Sequence, residues 1–155
     1  MDFVSVGPVS VQQTGKGSSL TGSALYSALG ASLLADAGLV AKIKQGFPSQ
    51  RLKGLKSIQV LAKKEEEFKV PSSFSKPVSL HLGDHAPAMQ LQFLNQFNAR
   101  RFVSADTTSK WISSQKDKLL DLLDQINVMF MNEREARLLT GENDLKKAAM
   151  KIANG

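Results

Sequence analysis

The sequence predicts an α/β protein in which a mostly parallel sheet carries helices on both faces. Short apolar runs alternate with segments of helical periodicity along the chain, and this order is typical of strand–helix–strand units whose crossovers deliver parallel strands. The 155 residues are 42% hydrophobic and 22% charged, which supplies apolar surface for a core and argues against disorder. A chain of this length forms one domain or part of one, so we expect residues 1–155 to be a single partial domain.

Strands are predicted where apolar residues follow one another in short runs between turn residues. The first run must end by Pro8, because proline has no amide hydrogen to donate to a neighbouring strand. Glycines 15, 17 and 22, with Ser and Thr between them, predict a flexible surface hairpin. The predicted strands cover residues 3–8, 39–44, 57–62, 78–82, 101–105 and 126–131.

Helices are predicted where Leu and Ala recur every three or four residues. Leu25, Leu29 and Leu33 set this spacing in the first helix, which residues 36–38 end. Pro87 fits the first turn of a later helix, and Gly141 ends the one that begins at Glu133. The predicted helices cover residues 20–35, 87–97, 113–125, 133–140 and 144–153, with a short helix after the 46–48 break through residue 55. Residues 63–69 are predicted to be a solvated charged segment, and residues 71–77 a connector.

Several classes of protein are excluded or disfavoured by composition. The absence of Cys rules out disulfides, thiolate metal sites and a Cys nucleophile. No targeting segment stands at the start and the longest uncharged window, 17–35, is too polar to span a bilayer, so we expect a cytoplasmic protein with no membrane partner. The net charge is +6, but Lys and Arg are scattered with few aromatic residues between them, so nucleic-acid binding is not expected. Neither a Walker A motif nor a G-x-S-x-G elbow is present.

Candidate chemistry follows from the residues just beyond each predicted strand, because ligands of open α/β sheets bind at the carboxyl ends of the strands. Asp84, Asp106, Asn132 and Glu135 occupy such positions and offer oxygen ligands suited to a hydrated magnesium ion and its phosphates. A structural alternative stays open, because Asn132 and Glu135 also stand at the N-cap and N3 positions of a helical capping box.

Other chemistry-bearing residues have structural interpretations. His81 and His85 lack a metal-binding pattern, since Gly83 lies between them and Pro87 follows shortly after. Trp111 and Tyr26 are interpreted as packing residues rather than stacking platforms.

The most specific resemblance lies at residues 128–141, where Asn132 and Glu135 stand three apart. This stretch closely resembles the Asn-x-x-Glu segment of PfkB/ribokinase-type carbohydrate and nucleoside kinases. Further stretches resemble that family in the same order: 3–9 its first strand, 21–26 its substrate-side glycine segment, 40–48 its next strand and turn, and 105–112 its later Asp-Thr and Trp-Ile stretch.

The resemblance implies a ribokinase-like three-layer sandwich and transfer of the γ-phosphoryl group of ATP to a sugar or nucleoside hydroxyl, with Mg²⁺. It implies that Asn132 and Glu135 organise the metal, its waters and the phosphates, and we add Asp106 to this cofactor site. On the acceptor side it implies roles for Gly22 and Ser23. The substrate-binding Asp of the family falls at about Gln12.

Two departures from the family bear on function. The 155 residues contain no Gly-Ala-Gly-Asp segment, which in the family supplies the catalytic base and an anion hole, so we assign no catalytic residue and expect no turnover from these residues alone. Residues 57–74 are too few for the usual lid, so we expect an incomplete sandwich with a reduced or absent lid. The alternative is a non-catalytic interaction module whose exposed sheet edge favours self-association or a partner chain.

Overall fold

The computed structural model describes residues 1–15, 17–55, 58–63, 69–98 and 101–154. Its strands are β1 (Phe3–Pro8), β2 (Ser10–Thr14), β3 (Gly17–Thr21), β4 (Ala37–Lys42), β5 (Gln59–Lys63), β6 (Ser79–Leu82), β7 (Phe102–Asp106) and β8 (Val128–Phe130). Its helices are α1 (Ser23–Ala31), α2 (Pro87–Leu94), α3 (Ser109–Ser114), α4 (Lys116–Leu123), α5 (Glu133–Thr140) and α6 (Leu145–Asn154), with a 3-10 helix at Ser49–Gly54.

Within the described ranges, six strands form one parallel sheet in the order β5-β4-β1-β6-β7-β8. The chain first adds strands on one side of β1, through β4 and β5, and then returns to add β6, β7 and β8 on the other side. The strand order therefore reverses between β1 and β6, which is where open α/β sheets form a ligand crevice. β2 and β3 pair as a separate antiparallel hairpin that follows β1.

Each face of the sheet packs against a different set of helices. On one face, buried Ala24, Leu25 and Ala28 of α1 contact Leu39 and Ala41 of β4. On the other face, the apolar side chains of β1, β6 and β7 pack against α2, α3, α4 and α5. Helices thus cover both faces of a parallel sheet, which confirms the predicted three-layer α/β class.

The beginning of α1 is pressed tightly onto the sheet. Gly22, the residue that precedes α1, has a φ of 143°, and a Cβ there would collide with the carbonyl oxygen of Pro8. Gly83 follows β6, and a Cβ on it would lie 2.9 Å from both Ala24 Cβ and Ser23 Oγ. Because these glycines have no side chains, the first turn of α1 can rest on the carboxyl ends of β1 and β6.

Part of the sheet on the α1 side is left uncovered within the described residues. Ser104 pairs with Val128 and Asp106 with Phe130, so alternate residues of β7 and β8 share this face. Phe102, Val128 and Phe130 are exposed there by 43%, 36% and 55%. The uncovered area lies beside β8, the strand at one edge of the sheet.

The structure corrects several details of the sequence prediction. The first helix ends at Ala31 rather than 35, so Leu33 is exposed beyond it, and β4 begins at Ala37. Tyr26, expected to pack, is exposed. The helix expected at 113–125 begins only at Lys116, as α4, because Gln115 leaves helical geometry with φ −141° and ψ 43°; residues 113–114 instead end the separate helix α3.

Other predicted segments are confirmed or lie outside the described residues. The surface hairpin is present as β2 and β3. The helix at 133–140 has the bounds that its end signals indicate. The charged stretch 64–68 lies outside the described residues. Among the helices that the structure does describe, none has the length and apolarity needed to cross a membrane.

The close contact at Gly83 predicts a large difference between two Gly-to-Ala substitutions. Gly83→Ala should lower the free energy of unfolding by about 1–3 kcal/mol, because the new methyl group collides with Ser23 and Ala24. Gly30→Ala in the last turn of α1 meets no neighbouring atom and should raise it by about 0.5–1 kcal/mol through helix propensity. Urea unfolding measures both, and equal effects would contradict the described packing.

Candidate functional site

The candidate site is the carboxyl edge of the sheet around the β1–β6 crevice. Gly83, Asp84 and His85 follow β6, Thr107 follows β7, and Asn132 comes shortly after β8. Thr107 N donates to Phe130 O at 3.3 Å, which keeps the ends of β7 and β8 side by side. The predicted edge residues therefore belong to neighbouring strands, as the parallel topology requires.

Two of the predicted acceptor-side residues meet the end of β6. Ser23 Oγ accepts a hydrogen bond from Asp84 N at 2.9 Å, so the first turn of α1 is joined to the loop after β6. Gly22 immediately precedes this turn. Gln12 lies in β2, where it pairs with Ser19 and its side chain is exposed. The structure thus brings Gly22 and Ser23 to the crevice and leaves Gln12 on the hairpin.

Asp84 is also bonded to a helix on the other side of the crevice. Trp111 Nε1 donates to Asp84 Oδ1 at 2.8 Å, and the Nζ of Lys110 lies 4.1 Å from the centre of the Trp111 ring. Trp111, expected to be a packing residue, thus also makes a polar contact. Sequence patterns cannot find such a pair, since its members are 27 positions apart.

Gln90 is a buried residue of α2 that the sequence analysis missed. Its Nε2 donates to the carbonyl oxygens of Leu82 at 3.2 Å, Gly83 at 3.0 Å and Asp106 at 2.9 Å. One side chain therefore ties the end of β6 to the end of β7. Its position could have been found from the sequence, because Gln90 lies three and four residues before Phe93 and Leu94. This spacing places a polar residue on the apolar side of α2.

Asn132 and Glu135 form the capping box at the start of α5. Asn132 Oδ1 accepts from Glu135 N at 3.0 Å, and Glu135 Oε2 accepts from Asn132 N at 2.9 Å. The structural interpretation of this pair is therefore confirmed. Asn132 is exposed, so its side chain borders solvent at the sheet edge.

Glu135 makes a further contact that local sequence does not predict. Its Oε1 accepts from Ser109 N, the first amide of α3, at 3.2 Å. The carboxylate thus serves the N-termini of both α5 and α3, where helix amides are otherwise unpaired and the helix dipole favours negative charge. Because Glu135 is only 7% exposed, this contact fixes the segment after β7 against the segment after β8.

Asp106 stands at the end of β7 beside a buried histidine. His81 Nε2 lies 3.3 Å from Asp106 Oδ2, without hydrogen-bond geometry, and His81 Nδ1 is 3.0 Å from Ser104 Oγ. His81 is buried, whereas Asp106 is partly exposed. The carboxylate of Asp106 therefore borders solvent at the same edge as Asn132.

His85 is electrostatically linked to two neighbours in the crevice. Burial lowers its pKa below the ordinary value of 6.5, Lys42 lowers this pKa further, and Asp84 opposes the shift. His85 Nδ1 accepts from Ala86 N at 3.0 Å, so the neutral ring carries its proton on Nε2. His85 thus stands beside Asp84 after β6, with its ring edge against Phe93.

The donor set at this edge suits a magnesium ion that keeps most of its water. Within the described residues, no group of three or more His, Asp or Glu side chains is arranged to hold a metal. Magnesium in nucleotide sites, however, is usually bound through one or two carboxylates, waters and the phosphates themselves. Asp106 and Asn132 fit that arrangement because they border solvent, although Asn132 Oδ1 also accepts from Glu135 N, whereas Glu135 is buried and both its oxygens accept backbone amides.

This fold, with its crevice where the strand order reverses, is shared with solved structures of the ribokinase family. One solved structure with the same fold is a pyrophosphate-dependent kinase of the ribokinase family, with a TM-score of 0.64 and 14% identity, covering 97% of this chain and 69% of that one. Another is the Methanocaldococcus jannaschii nucleoside kinase, an archaeal member of that family, with a TM-score of 0.57 and 18% identity, covering 93% and 66%.

In sequence, the chain is similar to a particular curated kinase. It is 27% identical over 189 residues to a cytidine kinase of Thermococcus kodakarensis, covering 96% of this chain and 68% of that protein. No family model matches the sequence. The resemblance to ribokinase-type kinases is confirmed by these likenesses, with the chain corresponding to about two thirds of each relative's length.

The double contact of Glu135 predicts a selective loss of stability. Glu135→Ala should lower the free energy of unfolding by about 2 kcal/mol, because it leaves the amide of Asn132, just before α5, and the first amide of α3 without acceptors. The matched control is Glu133→Ala in the same helical turn, whose exposed pair with Arg137 is worth at most about 0.5 kcal/mol. Urea unfolding of both variants checks this. If Glu135→Ala lowers the free energy of unfolding no more than Glu133→Ala does, the double contact of Glu135 contributes little to stability.

Proposed function

We propose that these residues form the acceptor-binding and magnesium-facing part of a ribokinase-type kinase. The reaction is transfer of the γ-phosphoryl group of ATP to a hydroxyl of a nucleoside or sugar. The observation that carries the proposal is the bridge made by Glu135, which holds Asn132 and the segment after Asp106 at one edge of the sheet. The similarity to a cytidine kinase supports a nucleoside as the acceptor. A cytoplasmic location, where ATP is supplied, belongs to the same proposal.

Each residue of the magnesium side has a distinct role in this proposal. Asp106 and Asn132 border solvent and hold the hydrated ion and the phosphate oxygens through its waters. Glu135 is a positioning residue, because its oxygens hold the backbone of Asn132 and Ser109 rather than facing solvent. When bound, magnesium neutralises the charge on the phosphates and lowers the cost of the charge that develops during transfer.

The acceptor side of the proposal lies in the β1–β6 crevice. Gly22 and Ser23 place the first turn of α1 there, because the absent side chain of Gly22 lets this turn pack against the carbonyl oxygen of Pro8. Gln12 on β2 borders the acceptor from the hairpin, which acts as a reduced lid. Phosphoryl transfer depends on positioning and charge stabilisation, so a rigid crevice of this kind is what the reaction needs from the protein.

A second candidate is a non-catalytic module that self-associates or binds a partner chain. The exposed apolar residues Phe102, Val128 and Phe130 beside the edge strand β8 favour it. Covering them would remove apolar surface from water and pair the free edge of β8. Sedimentation velocity separates the candidates, since a strictly monomeric species counts against self-association.

The expected behaviour of a polypeptide of residues 1–155 is ligand binding without turnover. Its sequence holds no Gly-Ala-Gly-Asp segment, so the base and anion hole of the family are missing and no phosphorylated cytidine should form from ATP and Mg²⁺. Calorimetry should still detect binding of Mg²⁺ with a non-hydrolysable ATP analogue. Glu135→Gln should weaken this binding about tenfold, since a neutral side chain holds the edge less firmly.

The control for this experiment is Glu133→Gln, which removes a negative charge from the same helical turn without touching the bridge. It should leave the affinity for the magnesium–nucleotide complex within about twofold. Phosphorylation of cytidine by the polypeptide would refute the expected lack of turnover. Absence of any nucleotide binding would refute the proposed magnesium side.

A further inference from the structure

We propose that Asp84 is the specificity-determining residue of the crevice, where its carboxylate binds a hydroxyl of a neutral polyhydroxylated acceptor such as a nucleoside. This inference rests on the proposed function and deepens it. Gln12 is neutral and stands on the exposed hairpin, so it does not bring a carboxylate to the β1–β6 crevice. Asp84 lies directly after β6, at the point where the strand order reverses.

The position of Asp84 is fixed from two sides. Its backbone amide donates to Ser23 Oγ at 2.9 Å, at the start of α1. Its Oδ1 accepts from Trp111 Nε1 at 2.8 Å, on α3. A carboxylate held by both its backbone and one of its oxygens loses little further freedom when it binds a ligand, which is the advantage of a preorganised site.

The other oxygen of Asp84 remains available to a ligand. Within the described ranges, no hydrogen bond or ion pair engages Oδ2, and the side chain is partly exposed. An ionised carboxylate accepts hydrogen bonds only, so its natural partner is a donor such as a hydroxyl group. A hydrogen bond from a neutral hydroxyl to a charged acceptor is stronger than one between neutral groups.

His85 complements this acceptor with a donor. Its Nδ1 is occupied by the amide of Ala86, so the neutral ring presents Nε2–H. Asp84 and His85 are close enough that Asp84 influences the pKa of the imidazole. In this proposal one ribose hydroxyl of a nucleoside donates to Asp84 Oδ2, and a neighbouring hydroxyl accepts from His85 Nε2. A phosphate on the acceptor is disfavoured by the negative charge of Asp84.

A purely structural role for Asp84 makes a different prediction from a binding role. Asp84→Asn keeps a carbonyl oxygen that can accept from Trp111 but removes the negative charge. Trp111→Phe removes the indole donor and keeps the aromatic ring and the Asp84 charge. If Asp84 served only to hold α3, Trp111→Phe would lower the affinity for the acceptor more than Asp84→Asn. If Asp84 binds the acceptor, Asp84→Asn lowers this affinity more.

The experiment is a calorimetric titration of the 155-residue chain with cytidine and with ribose. Asp84→Asn should weaken cytidine binding about tenfold or more, whereas Trp111→Phe should weaken it only about two- to fivefold. The matched control Asp121→Asn removes an exposed carboxylate that pairs with Lys118 on α4, and it should leave the affinity unchanged. Trp111 is the one tryptophan of the sequence, so its indole N–H resonance should shift on addition of cytidine and locate the binding event.

The outcomes separate this inference from the proposed function. Cytidine binding that is equally strong in Asp84→Asn would overturn the role of Asp84 and leave the kinase proposal standing. A chain that binds the magnesium–nucleotide complex but neither cytidine nor ribose would overturn the acceptor crevice together with Asp84. A chain that binds none of these ligands would overturn both proposals.

Discussion

The carboxylate of Glu135 is the contact on which the arrangement of the candidate site depends. One of its oxygens accepts the amide of Asn132, before α5, and the other accepts the amide of Ser109, at the start of α3. Backbone hydrogen bonds hold β7 and β8 together only as far as Thr107 on one strand and Phe130 on the other. Beyond that point the chain segments diverge into separate helices, and a buried carboxylate between helix N-termini keeps them together.

A series of hydrogen bonds extends from Glu135 to the other end of the crevice. Glu135 holds the first residue of α3, Trp111 on α3 donates to Asp84, and the amide of Asp84 donates to Ser23 on α1. The short helix α3 therefore joins the magnesium side of the proposed site to its acceptor side. Gln90 adds to this arrangement by joining the ends of β6 and β7 through hydrogen bonds to the carbonyl oxygens of Gly83 and Asp106. Catalysis by positioning requires such a frame, because small displacements of reacting groups lower rates strongly.

The parts of this architecture that depend on neighbouring residues in the sequence are predictable from the sequence. The capping box of Asn132 and Glu135 follows from a spacing of three residues, and the bounds of α5 follow from that box and from Gly141. The parallel sheet follows from the alternation of strand and helix patterns. The acidic and amide residues at the sheet edge follow from the rule that ligands lie beyond the carboxyl ends of strands.

The remaining features depend on residues that are distant in the sequence. The contacts of Glu135 with Ser109 and of Asp84 with Trp111 span 26 and 27 positions, and no periodicity encodes them. The break between α3 and α4 depends on Gln115, whose side chain accepts from Ala88 N at 3.2 Å in another helix. Tyr26 and Leu33 fit a helical apolar pattern, yet whether a neighbour covers them is decided by tertiary packing, and both are exposed.

Amide hydrogen exchange of Ser109 and Asn132 tests the central role of Glu135 most directly. Both are first-turn or pre-helical amides that would exchange freely with water if nothing accepted them. We expect both amides to be protected in the native chain, and Glu135→Ala to remove the protection of the two amides together. Exchange of either amide at the rate of an unstructured peptide in the native chain would contradict it.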